Sequence, residues 1–202
     1  MWRVLSRIAH FKNTTMTDKP SAGWAFLREM MNLQSNDFEL FGVPERFAQD
    51  GAALDLRWKA LQREAHPDKF AAQGSAAQRV AMQWSVRINE AYQRLKDPVQ
   101  RAAYLCALRG APVDAEKNTA MPAAFLLQQM ELREALDDAK SVENLDKISQ
   151  ISIQNMREQL SKTEQFLDQD HNTTQAAHSV RALMFIERFR RDVDARYEVL
   201  GQ

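Results

Sequence analysis

The chain has 202 residues, of which 45% are hydrophobic, so it contains enough apolar material for one or two packed domains and is not a disordered chain. Lys plus Arg and Asp plus Glu each total 27, which disfavours a globally basic nucleic-acid-binding protein, and the single cysteine, Cys106, excludes an intrachain disulfide and a cysteine-based zinc site. Only 6 glycines and 6 prolines are present, which favours an all-α fold. The sequence contains no run of about 18 apolar residues, so no membrane-spanning helix is predicted.

Residues 1–36 precede the first recognisable helix and are expected to form an N-terminal extension. Residues 1–12 are basic and apolar, as in a transit peptide, but no long Arg/Ser-rich region follows. Met16, Met30 and Met31 are all possible start sites. The extension is therefore interpreted as a poorly ordered segment or a mis-assigned start. If the extension is a transit peptide, the protein is expected in the mitochondrial matrix.

Two helices are predicted before a His-Pro-Asp sequence. The first, DFELF, has Asp37 as its expected N-cap and ends at Gly42. The second covers about residues 52–65 and has one narrow apolar face, which consists of Leu54, Trp58, Leu61 and Ala65. His66-Pro67-Asp68 ends this helix because the residue before a proline avoids the α region.

Two further helices follow, so that residues 37–110 form the first predicted domain. One helix begins at Gly74-Ser75, with Ser75 as the expected cap. The apolar stripe of this helix consists of Ala77, Val80, Ala81, Trp84, Ile88, Ala91 and Leu95. The other begins at Asp97-Pro98, an N-cap followed by a proline at the first helical position, and ends at Gly110.

The remainder of the chain predicts a linker and a second helical domain. Residues 111–121 are polar and proline-flanked and are interpreted as the linker. Residues 122–202 are expected to form three helices, at about 122–139, 142–169 and 175–200. Their short connections favour an antiparallel bundle. The freedom of the two domains to move about the linker stays open.

The His-Pro-Asp sequence can present two polar side chains to a partner. Proline stiffens the turn, and His66 and Asp68 then offer a donor and a carboxylate acceptor. The tripeptide alone is a weak signal, because a local turn-and-cap pair also explains it. Its position after a helix with Lys59 and Arg63 on the outer face favours binding, although such charges are also usual on a solvated face.

Three segments in this order resemble the J domain, which engages chaperones of the DnaK class: DFELFGVP, LDLRWKALQREAHPDKF and INEAYQRLKDPVQRAAYL. The match spans about residues 37–108. The resemblance implies that His66, Pro67 and Asp68 trigger ATP hydrolysis in the partner. It also implies that the second helix binds an acidic surface of the chaperone through Arg57, Lys59, Gln62 and Arg63. Lys69, beside the loop, would contribute to the same contact.

The first helix of the C-terminal domain is apolar on two faces. Its core stripe consists of Phe125, Leu132, Leu136 and Ala139. Leu126, Leu127 and Met130 point to the other side, and Phe185 lies at the edge of the apolar stripe on the last helix. Together these four residues can form an exposed patch of the kind that marks a binding surface. Periodicity alone equally allows them to fill the domain junction or a wider core.

FLLQQMELREALDD and RALMFIERF resemble the C-terminal helices of HscB co-chaperones, and this likeness extends over about residues 37–200. It implies an L-shaped arrangement of a J domain and a C-terminal three-helix bundle. In this family, the bundle binds the IscU-type scaffold protein on which iron–sulfur clusters are built. That role carries over to six residues of this chain: Leu126, Leu127, Met130 and Phe185, with Glu131 and Glu134 as acidic neighbours.

The resemblance predicts a non-enzymatic adaptor that delivers the scaffold to an HscA-type chaperone and stimulates its ATPase. It also implies a location in the bacterial cytoplasm, because the cysteine-rich zinc module of some eukaryotic relatives is absent. No metal or other cofactor is expected, and the sequence has no GxxxxGK(S/T) phosphate loop. A J-domain protein with a different client is the main alternative. An enzyme that uses His66 with Asp68 lacks an accompanying nucleophile and oxyanion site. A nucleic-acid-binding protein has only the basic helix face in its favour, so neither nucleic acid nor membrane is an expected partner.

Overall fold

The computed structural model describes residues 35–113 and 121–200. The predicted extension up to residue 34, and residues 114–120 of the predicted linker, lie outside the described residues. Within the described ranges every regular element is helical, which confirms the predicted all-α fold class. None of these helices is long and apolar enough to cross a membrane.

Four helices and one 3-10 segment form the first described range. The helices are α1 (Asp37–Phe41), α2 (Gly51–Glu64), α3 (Ser75–Lys96) and α4 (Pro98–Leu108), and the 3-10 segment Pro67–Gln73 lies between α2 and α3. Asp55, near the start of α2, bonds to Lys96 at the end of α3, and Gln62, near the end of α2, bonds to Ser85 in the middle of α3, so these helices form an antiparallel hairpin. The predicted stripe of α2 faces α3, where Trp58 stacks on Tyr92 with ring centroids 4.8 Å apart.

The first helix is capped by Asn36 and not, as predicted, by Asp37. The Asn36 side chain accepts a hydrogen bond from the backbone N–H of Glu39 at 2.9 Å, and the Glu39 carboxylate accepts one from the N–H of Asn36 at 3.0 Å. This reciprocal pair is a capping box. Asp37 is instead buried and forms ion pairs with Arg87 and Arg94, which tie α1 to α3.

The starts of α3 and α4 show where cap prediction from sequence fails and where it succeeds. Gly74, with a φ of 93°, precedes α3 as its cap, and Ser75 is the first helical residue, so the predicted serine cap is wrong. At α4 the Asp97 carboxylate accepts a hydrogen bond from the N–H of Gln100 at 2.7 Å, and Pro98 occupies the first helical position, as predicted.

Three helices form the second described range: α5 (Ala123–Asp137), α6 (Val142–Glu164) and α7 (Thr173–Leu200). A π-helical segment, Gln165–Gln169, continues α6. α6 and α7 form the most extensive helix pair, and α5 contacts both, which confirms the predicted three-helix bundle.

The hydrophobic core extends across both described ranges. One cluster joins buried residues of the hairpin and α4 to buried residues of α7, including Leu105 and Cys106 on one side and Val180 and Leu183 on the other. Met184, which lies opposite the main stripe of α7, packs against this same cluster. A smaller cluster lies among α5, α6 and the second half of α7, and consists of Leu132, Leu136, Ala139, Leu145, Ile148, Phe189 and Val193. The first half of α7 therefore packs against α4 as well as α6.

Candidate functional site

The His-Pro-Asp loop lies at the end of the α2–α3 hairpin and presents two polar side chains to solvent. The side chain of His66 is 58% exposed and that of Asp68 is 88% exposed. The His66 Nδ1 atom accepts a hydrogen bond from the backbone N–H of Asp68 at 3.3 Å. Because Nδ1 accepts this bond, a neutral imidazole carries its proton on Nε2 and offers a donor there. The loop thus combines one donor and one carboxylate acceptor on a single exposed turn.

Two hydrogen bonds brace the hairpin directly behind this loop. The Gln62 side-chain amide donates to the Ser85 carbonyl at 3.0 Å, and the Ser85 hydroxyl donates to the Ala65 carbonyl at 3.0 Å. Phe70, in the 3-10 segment that follows the loop, is buried in the core. Since Ala65 immediately precedes His66, these contacts hold the loop from both sides.

The predicted basic residues of α2 divide into two groups. Lys59 and Arg63 are exposed, as is Lys69 after the loop. Arg57 is half-buried and its Nε donates to the Phe41 carbonyl at 3.1 Å, while the Gln62 amide is engaged in the hairpin brace. The exposed cations are therefore available to a partner, whereas Arg57 joins α2 to α1 and Gln62 joins α2 to α3.

A polar network at the other end of the hairpin was not predicted from the sequence. Asp55 accepts hydrogen bonds from Lys96 and from the Tyr92 hydroxyl, and these bonds lower the pKa of the Asp55 carboxyl. The positive charge of Lys59 acts in the same direction. Because Lys96 neutralises Asp55, this carboxylate does not cancel the positive face of α2. Only the antiparallel pairing of α2 with α3 brings the three residues together, so helix periodicity could not reveal them.

The predicted apolar patch is exposed on α5 and α7. The exposed fractions are 40% for Leu126, 58% for Leu127, 59% for Met130 and 38% for Phe185. Phe185 is joined to α5 by an edge-to-face contact with Phe125, whose ring centroid lies 6.1 Å away. This contact places apolar residues of two helices on one surface.

The packing of α5 explains why this patch faces solvent. The second half of α5 is anchored by Leu132 and Leu136, which are buried in the smaller cluster. Its first half lies over an open groove of about 550 Å³ between α6 and α7. Glu131 and Glu134 are exposed on the same helix, next to the apolar patch.

The amino-acid sequence is similar to known co-chaperones over most of its length. A family model described as the HSCB C-terminal oligomerisation domain matches residues 121–194. The co-chaperone protein HscB homologue of Burkholderia multivorans is 46% identical over 174 residues, which cover 85% of this chain and 99% of that protein. The homologue of Burkholderia thailandensis is 48% identical over the same length.

Two solved structures share the fold. The chaperone HscB from Vibrio cholerae superposes with a TM-score of 0.72 at 35% identity, covering 82% of this chain and 99% of that one. The human co-chaperone protein HscB superposes with a TM-score of 0.77 at 23% identity, covering 81% of this chain and 83% of that one.

Proposed function

The chain belongs to the HscB family of co-chaperones, and on that premise we propose that it couples an iron–sulfur cluster scaffold protein to the ATPase of an HscA-type chaperone. Residues 37–110 engage the chaperone, residues 122–202 hold the scaffold, and residues 111–121 connect them. The main support is the exposure of His66 and Asp68 at a braced hairpin end. The similarity to Burkholderia proteins supports action in a bacterial cytoplasm.

The chaperone-binding surface comprises the loop and the outer face of α2. His66, Pro67, Asp68 and Lys69 meet the chaperone directly, and Lys59 and Arg63 lie against an acidic surface. Exposed charges of this kind add little affinity each, but they raise the association rate. Arg57 and Gln62 complete the surface, since their bonds to Phe41 and Ser85 fix the orientation of α2.

The scaffold-binding surface is the apolar patch of Leu126, Leu127, Met130 and Phe185. Its exposed apolar area can be transferred from water into an interface, which stabilises a complex by about 25 cal/mol per Å² of apolar surface. Glu131 and Glu134 form a charged rim that orients the partner. An apolar centre with a polar rim is the usual anatomy of a protein–protein interface.

The proposed role needs no chemistry within this chain. A co-chaperone that binds both partners raises the effective concentration of the scaffold at the chaperone. The ATP site belongs to the chaperone, and the adaptor acts on it from outside through the loop. We therefore propose a non-enzymatic function.

Steady-state ATP hydrolysis by an HscA-type chaperone tests this proposal. The protein is added with and without the iron–sulfur scaffold, and stimulation is expected to rise synergistically when both are present. Stimulation that ignores the scaffold would favour the alternative, a J-domain co-chaperone with a different client. An absence of any stimulation would contradict the role of the loop.

Replacement of His66 by glutamine is expected to abolish stimulation, because the flexible glutamine amide does not hold a donor at the position where the imidazole, fixed by its bond from the Asp68 N–H, places Nε2. Scaffold affinity should stay unchanged, since the patch lies on other helices. His171→Gln is the control, because it removes an exposed histidine at the turn before α7. The test measures ATP turnover and scaffold binding in parallel. Full stimulation by the His66 variant would disprove the mechanism.

Combined replacement of Leu126, Met130 and Phe185 by alanine is expected to weaken scaffold binding by about a hundredfold, because interface anchors each contribute on the order of 1 kcal/mol or more. Stimulation in the absence of scaffold should stay unchanged. The matched control replaces three exposed apolar residues of the same bundle, Val142, Ile151 and Val199, by alanine. Calorimetric titration with the scaffold measures both affinities. Equal affinities in the two triple variants would refute the patch.

A further inference from the structure

The α1–α2 loop is fastened to the end of α6 by one carboxylate. The two oxygens of Asp168 accept hydrogen bonds from the backbone N–H groups of Phe47, at 2.7 Å, and Ala48, at 2.8 Å. These two donors belong to the hairpin part of the chain, whereas Asp168 belongs to the bundle. An ionised carboxylate satisfies both donors because it carries an acceptor on each oxygen.

Two arginines of α4 and its C-terminal end reinforce the same junction. Arg109 donates to the Leu167 carbonyl at 2.6 Å and to the Glu45 carbonyl at 3.1 Å, so one guanidinium joins both sides. Arg101 donates from Nε to the Phe47 carbonyl at 2.8 Å and covers the Phe47 ring at 5.0 Å. Both kinds of backbone group in the α1–α2 loop are therefore hydrogen-bonded. Asp168 accepts from its N–H groups, and the two arginines donate to its carbonyls.

The π-helical segment Gln165–Gln169 sets the position of the carboxylate. Within it, Leu167 is fully buried in the shared core, while its neighbour Asp168 reaches the α1–α2 loop. Segments of this type are rare and frequently occur at functional sites. The shared hydrophobic core holds the two parts together, and these hydrogen bonds add directional contacts across the junction.

We propose that Asp168 is a positioning residue that couples the two partner-binding surfaces. It fixes the direction in which the His66 loop points relative to the apolar patch, so a scaffold bound to the patch reaches the chaperone in one geometry. The advantage of linking two binding surfaces is lost if their geometry prevents both partners from binding at once. A rigid junction maintains a geometry in which both can bind. This inference rests on the proposed function, because it concerns the cooperation of the two proposed surfaces.

Replacement of Asp168 by alanine tests the proposal in the full chain. The scaffold-dependent part of ATPase stimulation is expected to fall by about fivefold or more, the lower range of typical coupling between sites. Stimulation without scaffold and scaffold affinity should both stay at the wild-type level. Asp170→Asn controls for loss of a nearby exposed carboxylate, and Ile148→Val controls for a general loss of stability.

A distance measurement separates positioning from stability. Spin labels on cysteines introduced at the exposed positions Gln93 and Gln150 report the spacing between the hairpin and the bundle, and buried Cys106 stays unlabelled. The wild-type distance distribution should be narrow and that of Asp168→Ala broad. If the alanine variant fails to fold, Arg109→Lys takes its place, because lysine cannot reproduce the two-pronged guanidinium contact.

The outcomes distinguish a failure of this inference from a failure of the proposed function. A broad distribution with reduced synergy supports the inference. If the Asp168 variant retains the wild-type level of scaffold-dependent stimulation, the inference is wrong, whatever the distance distribution shows. It is also wrong if Ile148→Val loses as much scaffold-dependent stimulation as the Asp168 variant. Failure of the wild-type protein to stimulate the chaperone would instead contradict the proposed function.

Discussion

Cys106 lies in the shared core, where desolvation raises the pKa of its thiol from 9.0 to about 11. The nearby charges of Arg109 and Arg181 oppose this shift but do not cancel it. Well below pH 9 the thiol is neutral in both the folded and the unfolded chain. As the pH rises from 9 towards 11, only the unfolded chain ionises, so this group's contribution to folding stability is lost over that window.

Comparison of the wild-type protein with Cys106→Ala tests this linkage. The alanine variant should be less stable at neutral pH because it leaves a small cavity, but it should lose less stability between about pH 8 and about pH 10. Tyr92 and Tyr197, whose pKa values are also raised, contribute equally to both proteins. Urea unfolding at the two pH values measures the difference. Parallel pH dependence in the two proteins would show that the thiol does not titrate differently on folding.

Among single residues, the sequence predicted the helix face on which a side chain lies better than it predicted the partners of that side chain. Helix periodicity placed Leu127 and Met130 opposite the core stripe of α5 but equally allowed them to fill a wider core, and the structure shows them exposed. Asp37 was misassigned as a cap, since an acidic residue at the start of a helix is the usual cap signature. Its burial depends on Arg87 and Arg94, which lie 50 and 57 positions further along the chain. No local pattern carries that information.

At the level of elements, the hairpin brace supports the loop. Ser85→Ala removes the hydroxyl bond to the Ala65 carbonyl, and Gln62→Ala removes the amide bond to the Ser85 carbonyl. Each change is expected to lower the free energy of unfolding by about 1 kcal/mol, the typical contribution of one hydrogen bond. Because the bonds lie directly behind His66, we also expect the loop to open more often.

Hydrogen exchange of residues 66–73 and the chaperone concentration giving half-maximal stimulation measure this effect. Both should increase in the two variants, while the maximal stimulation is retained. Gln83→Ala, at an exposed position on α3, is the control. Unchanged exchange in the loop would mean that Phe70 and the core hold it without the brace.

The long helices could be predicted from the sequence, but the irregular segments could not. The bounds of α3, α4 and α7 agree with the predicted ones to within about two residues, since caps and apolar period are local signals. The 3-10 segment Pro67–Gln73 and the π segment Gln165–Gln169 carry no such signal. Each segment buries one residue in the core, Phe70 in the 3-10 segment and Leu167 in the π segment, and these are tertiary contacts. The Asp168 contact was missed for the same reason.

For the whole molecule, the division into residues 37–110 and 122–202 does not coincide with the division of the core. Helix periodicity shows which face of a helix is apolar and not what covers that face, so the contact between α4 and α7 could not be predicted from the sequence. In the structure α4 packs against the first half of α7, so Leu105 and Leu183 belong to one cluster. Because Leu105, Cys106, Val180 and Leu183 are buried in this cluster, separation of the two parts would expose core residues to water.

This shared core predicts that the two parts of the chain unfold together. Leu183→Ala on α7 is expected to destabilise the protein by roughly 2–5 kcal/mol, as for other buried leucines, and to do so for the hairpin as much as for the bundle.

With Trp2 and Trp24 replaced by phenylalanine, fluorescence reports only on Trp58 and Trp84, both on the hairpin, whereas circular dichroism reports on all helices. In urea the two signals should shift to the same lower midpoint, because cooperative unfolding has one transition. Val199→Ala, exposed on the same helix, should change the free energy of unfolding by no more than about 0.5 kcal/mol. A fluorescence midpoint that stays in place while the circular dichroism midpoint falls would show that the hairpin folds independently of α7.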